Sequence, residues 1–219
     1  MTDVLSRADA LAAIDDLPGW YLLYDALHAT YDAPDVPAAV ELVRKAFEIA
    51  EQLDHHPDVD LRWRQVRVRC STHSEGGVTA KDAELAHRTA AVAAEVGASV
   101  SNAPPQHHDI GIDTPDAARI RPFWAAVLGY EDTGDPLSLS DPFEGRLSVW
   151  FQVTDGASTG RNRPHVDVIV VPEEAQRRID AAVAAGGRLV TADHAPKWWV
   201  LADADGNEAC ICTEEGRGL

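Results

Sequence analysis

The stretch GASVSNAPPQ at residues 97–106 limits what this chain can fold into more than any other feature. It is small and polar, carries two adjacent prolines and directly follows an alanine-rich segment of helical character, so it reads as a linker between two separately packed parts. The expected domains are residues 1–100 and 106–219. With 219 residues in all, each part is long enough to bury a core of its own.

Before the linker, residues 36–54 (VPAAVELVRKAFEIAEQLD) place Val40, Val43, Phe47, Ile49, Ala50 and Leu53 roughly on one side of a 3.6-residue period. That predicts an amphipathic helix, stopped by Pro57. Residues 61–72 (LRWRQVRVRCST) alternate Val66, Val68 and Cys70 with Arg67, Arg69 and Ser71, the period-two pattern of a strand with one buried face, and His73 falls in phase with the polar side. Gly76 and Gly77 then turn the chain. Thr79 and Asp82 have the spacing of a helix-capping pair at the start of a helix over residues 80–96. A helix end and a strand end thus bring His55, His56 and His73 toward one pocket.

Three neighbouring imidazoles suit proton transfer in both directions, because an unperturbed histidine titrates near pH ~6.5. Glu51 lies four residues before His55, hence on the same face of the helix, where its carboxylate is expected to orient that ring. The structural alternative is a helix that merely ends in imidazoles near the negative end of its dipole, with Asp82 serving only as an N-terminal charge. Trp20 is expected in the core.

In these residues the chain resembles the pterin-4a-carbinolamine dehydratase family. The shared pattern is an acidic residue, three positions, His-His-Pro, an aromatic, Thr-His and a downstream Asp, here Glu51, His55-His56-Pro57, Trp63, Thr72-His73 and Asp82. Leu17-Pro18-Gly19-Trp20 and Leu85-Ala86 extend the likeness over roughly residues 1–100. The resemblance implies an antiparallel sheet with helices on one face, and dehydration of a 4a-hydroxytetrahydropterin to the quinonoid dihydropterin. It also implies that His55, His56 and His73 surround the pterin, with His56 and His73 as proton donor and acceptor. Glu51 and Asp82 complete the candidate catalytic set. Thr72 and Trp63 are candidate substrate-binding residues, Trp63 beside the flat ring, although an aromatic at a strand start also suits a core. No cofactor is needed for this elimination, and relatives of this kind form dimers and tetramers.

After the linker the pattern runs strand (108–112), helix (115–128), strand (147–153), strand (164–171), helix (173–185) and two paired strands (198–202 and 208–213), a pseudo-repeat. Phe123-Trp124 to Leu128-Gly129-Tyr130 and Leu201-Ala202-Asp203 to Gly206-Asn207-Glu208 resemble the glyoxalase-like branch of the vicinal oxygen chelate superfamily. That implies a paired βαβββ fold and, overall, an α+β protein of two domains. The superfamily covers many activities, so function must come from the site. Its metal ligands suggest His107 or His108, His165, Gln152 and Glu208 here, with His107 preferred if Ile110 and Ile112 face a helix. The candidate divalent-metal set is His107, His165 and Glu208, while Cys210 holds the usual position of the terminal glutamate.

A net charge of −17 argues against nucleic acid and anionic membranes as partners. Cys70, Cys210 and Cys212 make no disulfide framework and suit a reducing cytoplasm. No cationic, apolar leader opens the sequence and no apolar run nears the ~20 residues of a membrane span. The leading expectation is a cytoplasmic, homo-oligomeric hydro-lyase acting on a pterin. The rivals are a metal-dependent glyoxalase- or dioxygenase-type enzyme in the second domain, and a non-catalytic pterin-binding regulatory protein.

Overall fold

The computed structural model describes residues 4–101, 103–118, 121, 125, 130, 134–140, 148–154, 165–184, 187–202 and 208–215, with His165 described by its backbone. The chain packs as two compact units, residues 1–105 and 106–218. Both mix helices with sheet, giving an α+β protein. Among the described residues no helix is long and apolar enough to cross a membrane.

The first unit runs α1 (Arg7–Ala12), β1 (Trp20–Leu23), β2 (Ala26–Asp32), α2 (Val36–Leu53), β3 (Asp58–Arg62), β4 (Gln65–Cys70), α3 (Ala80–Glu95) and β5 (Ser99–Val100). Its sheet has the order β1-β2-β4-β3 and is antiparallel throughout, with β5 pairing the end of β2. Leu27, Ala29 and Tyr31 stand opposite Cys70, Val68 and Val66 on one face, and all six are buried against α2 and α3. The other face carries His28, Thr30 and Asp32 beside Arg69, Arg67 and Gln65. Trp20 belongs to the core, where its Nε1 donates to the Tyr31 hydroxyl at 2.7 Å. Burial pushes that phenol up to about 12, against the opposing pull of the Trp20 hydrogen bond.

Three local details differ from the sequence reading. Helix α2 buries Ala39, Leu42, Ala46, Ile49 and Ala50, whereas Val40 and Phe47 are exposed; small alanines let the helix sit close to its neighbours, and the larger side chains fall outside that contact. The helix also ends before Pro57, because Asp54 adopts a left-handed conformation (φ 47°, ψ 53°) and the His55 amide closes onto the Ala50 carbonyl at 3.0 Å. Finally, residues 61–72 form two strands, not one. Their hairpin turns at Trp63 and Arg64, with Trp63 at φ +56°. Tight hairpins often need positive φ, and neither Gly nor Asn marks this one in the sequence.

The second unit contains β6 (Gln106–Thr114), β7 (Ser138–Leu139), β8 (Ser148–Val153), β9 (His165–Val170), α4 (Pro172–Ala184), β10 (Arg188–Thr191), β11 (Trp198–Ala202) and β12 (Glu208–Cys212). Ala117, Ala118, Arg121 and Ala125 are helical between β6 and β7. One sheet collects the strands in the order β10-β11-β12-β9-β6-β8-β7. Its internal symmetry shows in the strand directions. β9 runs parallel to β12 as β6 runs parallel to β8, and the two halves meet through the antiparallel pair β6/β9. The second half is a complete βαβββ set. Ile112, Leu139, Val149 and Phe151 form one apolar cluster, and Val170, Ala175, Ile179, Leu201 and Ile211 another. Phe123, Trp124, Leu128, Gly129, Asp203, Gly206 and Asn207 lie outside the described residues.

Candidate active site

One end of the first sheet gathers the histidines, and Asp82 is the group that organises it. Thr79 caps α3, and the reciprocal bond from the Thr79 amide to Asp82 Oδ2 (2.7 Å) completes a capping box. The same oxygen accepts from Thr72 Oγ1 at 2.7 Å and Thr79 Oγ1 at 3.1 Å, while Oδ1 accepts from His55 Nε2 at 2.6 Å. Asp82 is therefore both the N3 half of the capping box and the partner of an imidazole. His55 and Asp82 are buried, so this pair is shielded from water and each lone pair spent on it is costly to lose. The bond also fixes the orientation of the ring, with Nε2 turned to the carboxylate. The Cys70 thiol behind the network is pushed up by burial and by the charges of Asp82 and Asp58, so it stays a neutral core group.

The turn after Thr72 positions His73. Its backbone closes through Glu75 and Gly76 amides onto the Thr72 carbonyl, and the Thr72 amide bonds the Gly77 carbonyl at 3.0 Å. Gly76 sits at φ +69°, a conformation only glycine adopts cheaply. A side chain at Gly77 would meet Val4 Cγ1 at 2.7 Å. His73 and His56 are both more than half exposed. His56 Nε2 lies 2.9 Å from Glu51 Oε1, and His73 Nε2 lies 3.8 Å from Asp58 Oδ2.

Glu51 therefore pairs with His56, not with His55 as the four-residue spacing suggests. The spacing argument assumes that the helix reaches His55, and the left-handed Asp54 swings that residue out of phase and toward Asp82. Trp63 is also placed away from this cluster. It is 74% exposed at the hairpin tip, five residues from Asp58 along an extended strand, or roughly 16 Å. The Arg64 guanidinium lies 5.0 Å from its ring centre, a cation–π contact. His55, His56, His73, Glu51, Asp82 and Thr72 are thus brought to one place, and Trp63 is not.

In the second unit, register separates the proposed metal set. His107 stands opposite Ile169, whereas His165 stands opposite Gly111 and, by the β9/β12 register, beside Glu208. His107 is thus four residues along the ladder from the other two, roughly 13 Å. Its Nε2 lies 2.9 Å from Asp109 Oδ1 and 3.3 Å from Ser148 Oγ. Among the described residues no three His, Cys, Asp or Glu side chains are placed to hold a metal ion. By this register His107 does not share one metal site with His165 and Glu208. His107 does lie on the face opposite Ile110 and Ile112, as phase requires, and His108 lies on the other face, where burial, His107 and Arg178 pull it below the ordinary histidine value. The face of His107 carries a polar row that the motif reading passed over: Ser148, Asp109, Asp167 and Cys210 stand side by side across β8, β6, β9 and β12. Asp167 is buried and accepts from Trp150 Nε1 at 3.0 Å. The Cys210 thiol is raised by its hydrogen bond with Cys212, by burial and by Asp167.

With this geometry in view, comparison with known proteins separates the two units. Residues 3–92 match the family profile described as pterin 4 alpha carbinolamine dehydratase, and residues 109–212 match that of the glyoxalase-like domain. A relative from Nocardia farcinica is 44% identical over 87 residues, which is 40% of this chain and 92% of the relative. The chain belongs to the pterin-4-alpha-carbinolamine dehydratase family. A second relative, from Mycolicibacterium smegmatis, is 42% identical over 83 residues, 38% of this chain and 88% of its own length; both relatives carry that enzyme's name provisionally. A solved structure described as a transcriptional coactivator/pterin dehydratase from Brucella melitensis is 31% identical, covers 42% of this chain and 99% of its own, and has a TM-score of 0.41. The likeness to these dehydratases lies within the first unit, where the histidines and Asp82 meet.

The sequence reading missed Asp58 and Arg69 as part of this end of the sheet. Their signal was available: an acidic residue directly after His-His-Pro, and an arginine on the polar phase of the following strand. Without the hairpin register nothing placed them side by side.

Proposed function

We propose that the first unit removes water from a 4a-hydroxytetrahydropterin to give the quinonoid dihydropterin. In that elimination the N5–H and C4a–O bonds break, a C4a=N5 double bond forms, and the hydroxyl leaves as water once protonated. One group must give a proton and another take one, and both work best with pKa values near the operating pH. His56 and His73 fill these roles. Both are open to a substrate arriving from solvent, and each faces a carboxylate through Nε2. His55 is held by buried Asp82 and orients the site without being free to move. Thr72, bonded to the same carboxylate, presents its loop.

The observation that carries this reading is the division of labour among three imidazoles at one sheet end, one buried and fixed, two exposed and paired. It is supported by the chain's membership of the dehydratase family. The pterin is the small-molecule partner, and a homo-oligomer in the cytoplasm is the setting we propose. The test follows, by absorbance, the loss of a 4a-hydroxytetrahydropterin generated in situ. The full chain should accelerate it, and a His56→Ala/His73→Ala protein of unchanged thermal midpoint should lose at least a hundredfold. Equal rates for the two proteins would remove the histidines from the chemistry.

A further inference from the structure

We propose that Asp58 is a positioning residue for His73, pinned in place by Arg69; this rests on the dehydratase reading above. Each imidazole of the cluster turns Nε2 toward a different carboxylate: His55 toward Asp82, His56 toward Glu51 and His73 toward Asp58. The first two pairs are at hydrogen-bonding distance. The third is at 3.8 Å, a gap too long for a hydrogen bond yet short enough for the two charges to attract once the ring takes a proton.

Asp58 is held for this purpose from the next strand. It opens β3 directly after Pro57 and is the register partner of Arg69 on β4. Arg69 Nη1 donates to Asp58 Oδ2 at 2.9 Å, the same oxygen that faces His73. The arginine side chain is only 21% exposed, and its Nη2 reaches Asp25 in the β1–β2 turn at 3.5 Å. A mostly buried guanidinium between two carboxylates is a rigid anchor, because its donors form a planar fork. Asp58 on β3 thus faces His73, with Arg69 on β4 and Asp25 in the turn behind it.

The consequence for turnover is specific. When His73 takes the N5 proton, the imidazolium forms beside a carboxylate that cannot swing away, and the charge is stabilised where it appears. In this scheme Arg69 acts through Asp58.

The experiment measures kcat and KM of dehydration for the full chain and for Asp58→Asn, Asp58→Glu, Arg69→Gln and the Asp58→Asn/Arg69→Gln pair, with thermal midpoints as a folding control. Asp58→Asn should lower kcat roughly threefold to fivefold, the scale of an exposed ion pair, with little change in KM. Asp58→Glu should recover most of the rate. The double variant should be no slower than Asp58→Asn alone, because the arginine works through the aspartate. An unchanged kcat in Asp58→Asn, beside a slow His73→Ala protein, would overturn the proposal and leave the dehydratase reading standing. A wild-type chain with no dehydratase activity would overturn both.

Discussion

The two units answer the same problem, how to keep polar groups on a sheet, in opposite ways. In the first, polar residues are drawn to one end of the sheet, where buried Asp82 takes four hydrogen bonds and serves helix and histidine at once. In the second, they lie in a row across the middle of one face, with Asp109 and Asp167 opposite each other and Trp150 donating to Asp167. The first arrangement is a connected set of donors and acceptors centred on one carboxylate. The second is a row across strands, and its two symmetric halves contribute one carboxylate each. A shared class of mixed sheet and helix therefore says little about chemistry; what differs is whether turns and helix ends converge on one point.

That contrast can be broken most severely at the two buried carboxylates. Asp82→Ala removes half of the α3 capping box and strands a buried imidazole, and should cost roughly 3 kcal/mol in chemical denaturation together with nearly all dehydratase activity. Asp167→Ala removes the acceptor of the Trp150 indole N–H, should cost about 1–2 kcal/mol and should leave the dehydration rate unchanged. Equal effects of the two substitutions on activity would erase the distinction between the units.

Trp63 gives a smaller and sharper test. Asparagine tolerates left-handed backbone better than an aromatic, and Trp63 buries little to offset its strain. Trp63→Asn should keep stability within about 0.5 kcal/mol of wild type or raise it, with the same kcat and KM. A tenfold rise in KM would bring Trp63 back to the pterin.

The smallest expected effect lies in the second unit. His108 titrates below the ordinary histidine value, chiefly through burial, with His107 and Arg178 adding to it. Between the folded and unfolded values the unfolded chain binds more protons, so stability present above the unfolded value near ~6.5 is lost as pH falls through it toward the folded one. Thermal midpoints between pH 8 and 5 should fall less steeply in His108→Gln than in wild type. Parallel curves would show that His108 has no part in the acid sensitivity.

Much of the fold was legible because its signals are local. The alternation of Val66, Val68 and Cys70 and the Thr79–Asp82 capping pair each rest on neighbouring residues, and each corresponds to a feature of the structure, whereas Ser99 and Val100, read as linker, pair with β2 as β5. What was misread in the candidate site depends on single backbone angles. Asp54 and Trp63 both take positive φ without being glycine, and those two residues decide which carboxylate meets which histidine and where the aromatic goes. The Asp58–Arg69 pair and the Asp109–Asp167 row were out of reach for another reason: they exist only through strand register, which sequence spacing does not encode.

The central claim, that the pterin site is the histidine end of the first sheet, is tested most directly by a titration of the full, nitrogen-15-labelled chain with a stable dihydropterin, read by amide chemical shifts. The account predicts saturable shifts confined to residues 51–58 and 72–82, at Glu51, His55, His56, His73 and their neighbours. Shifts concentrated instead on β6 and β9, around Asp109 and Asp167, would contradict it.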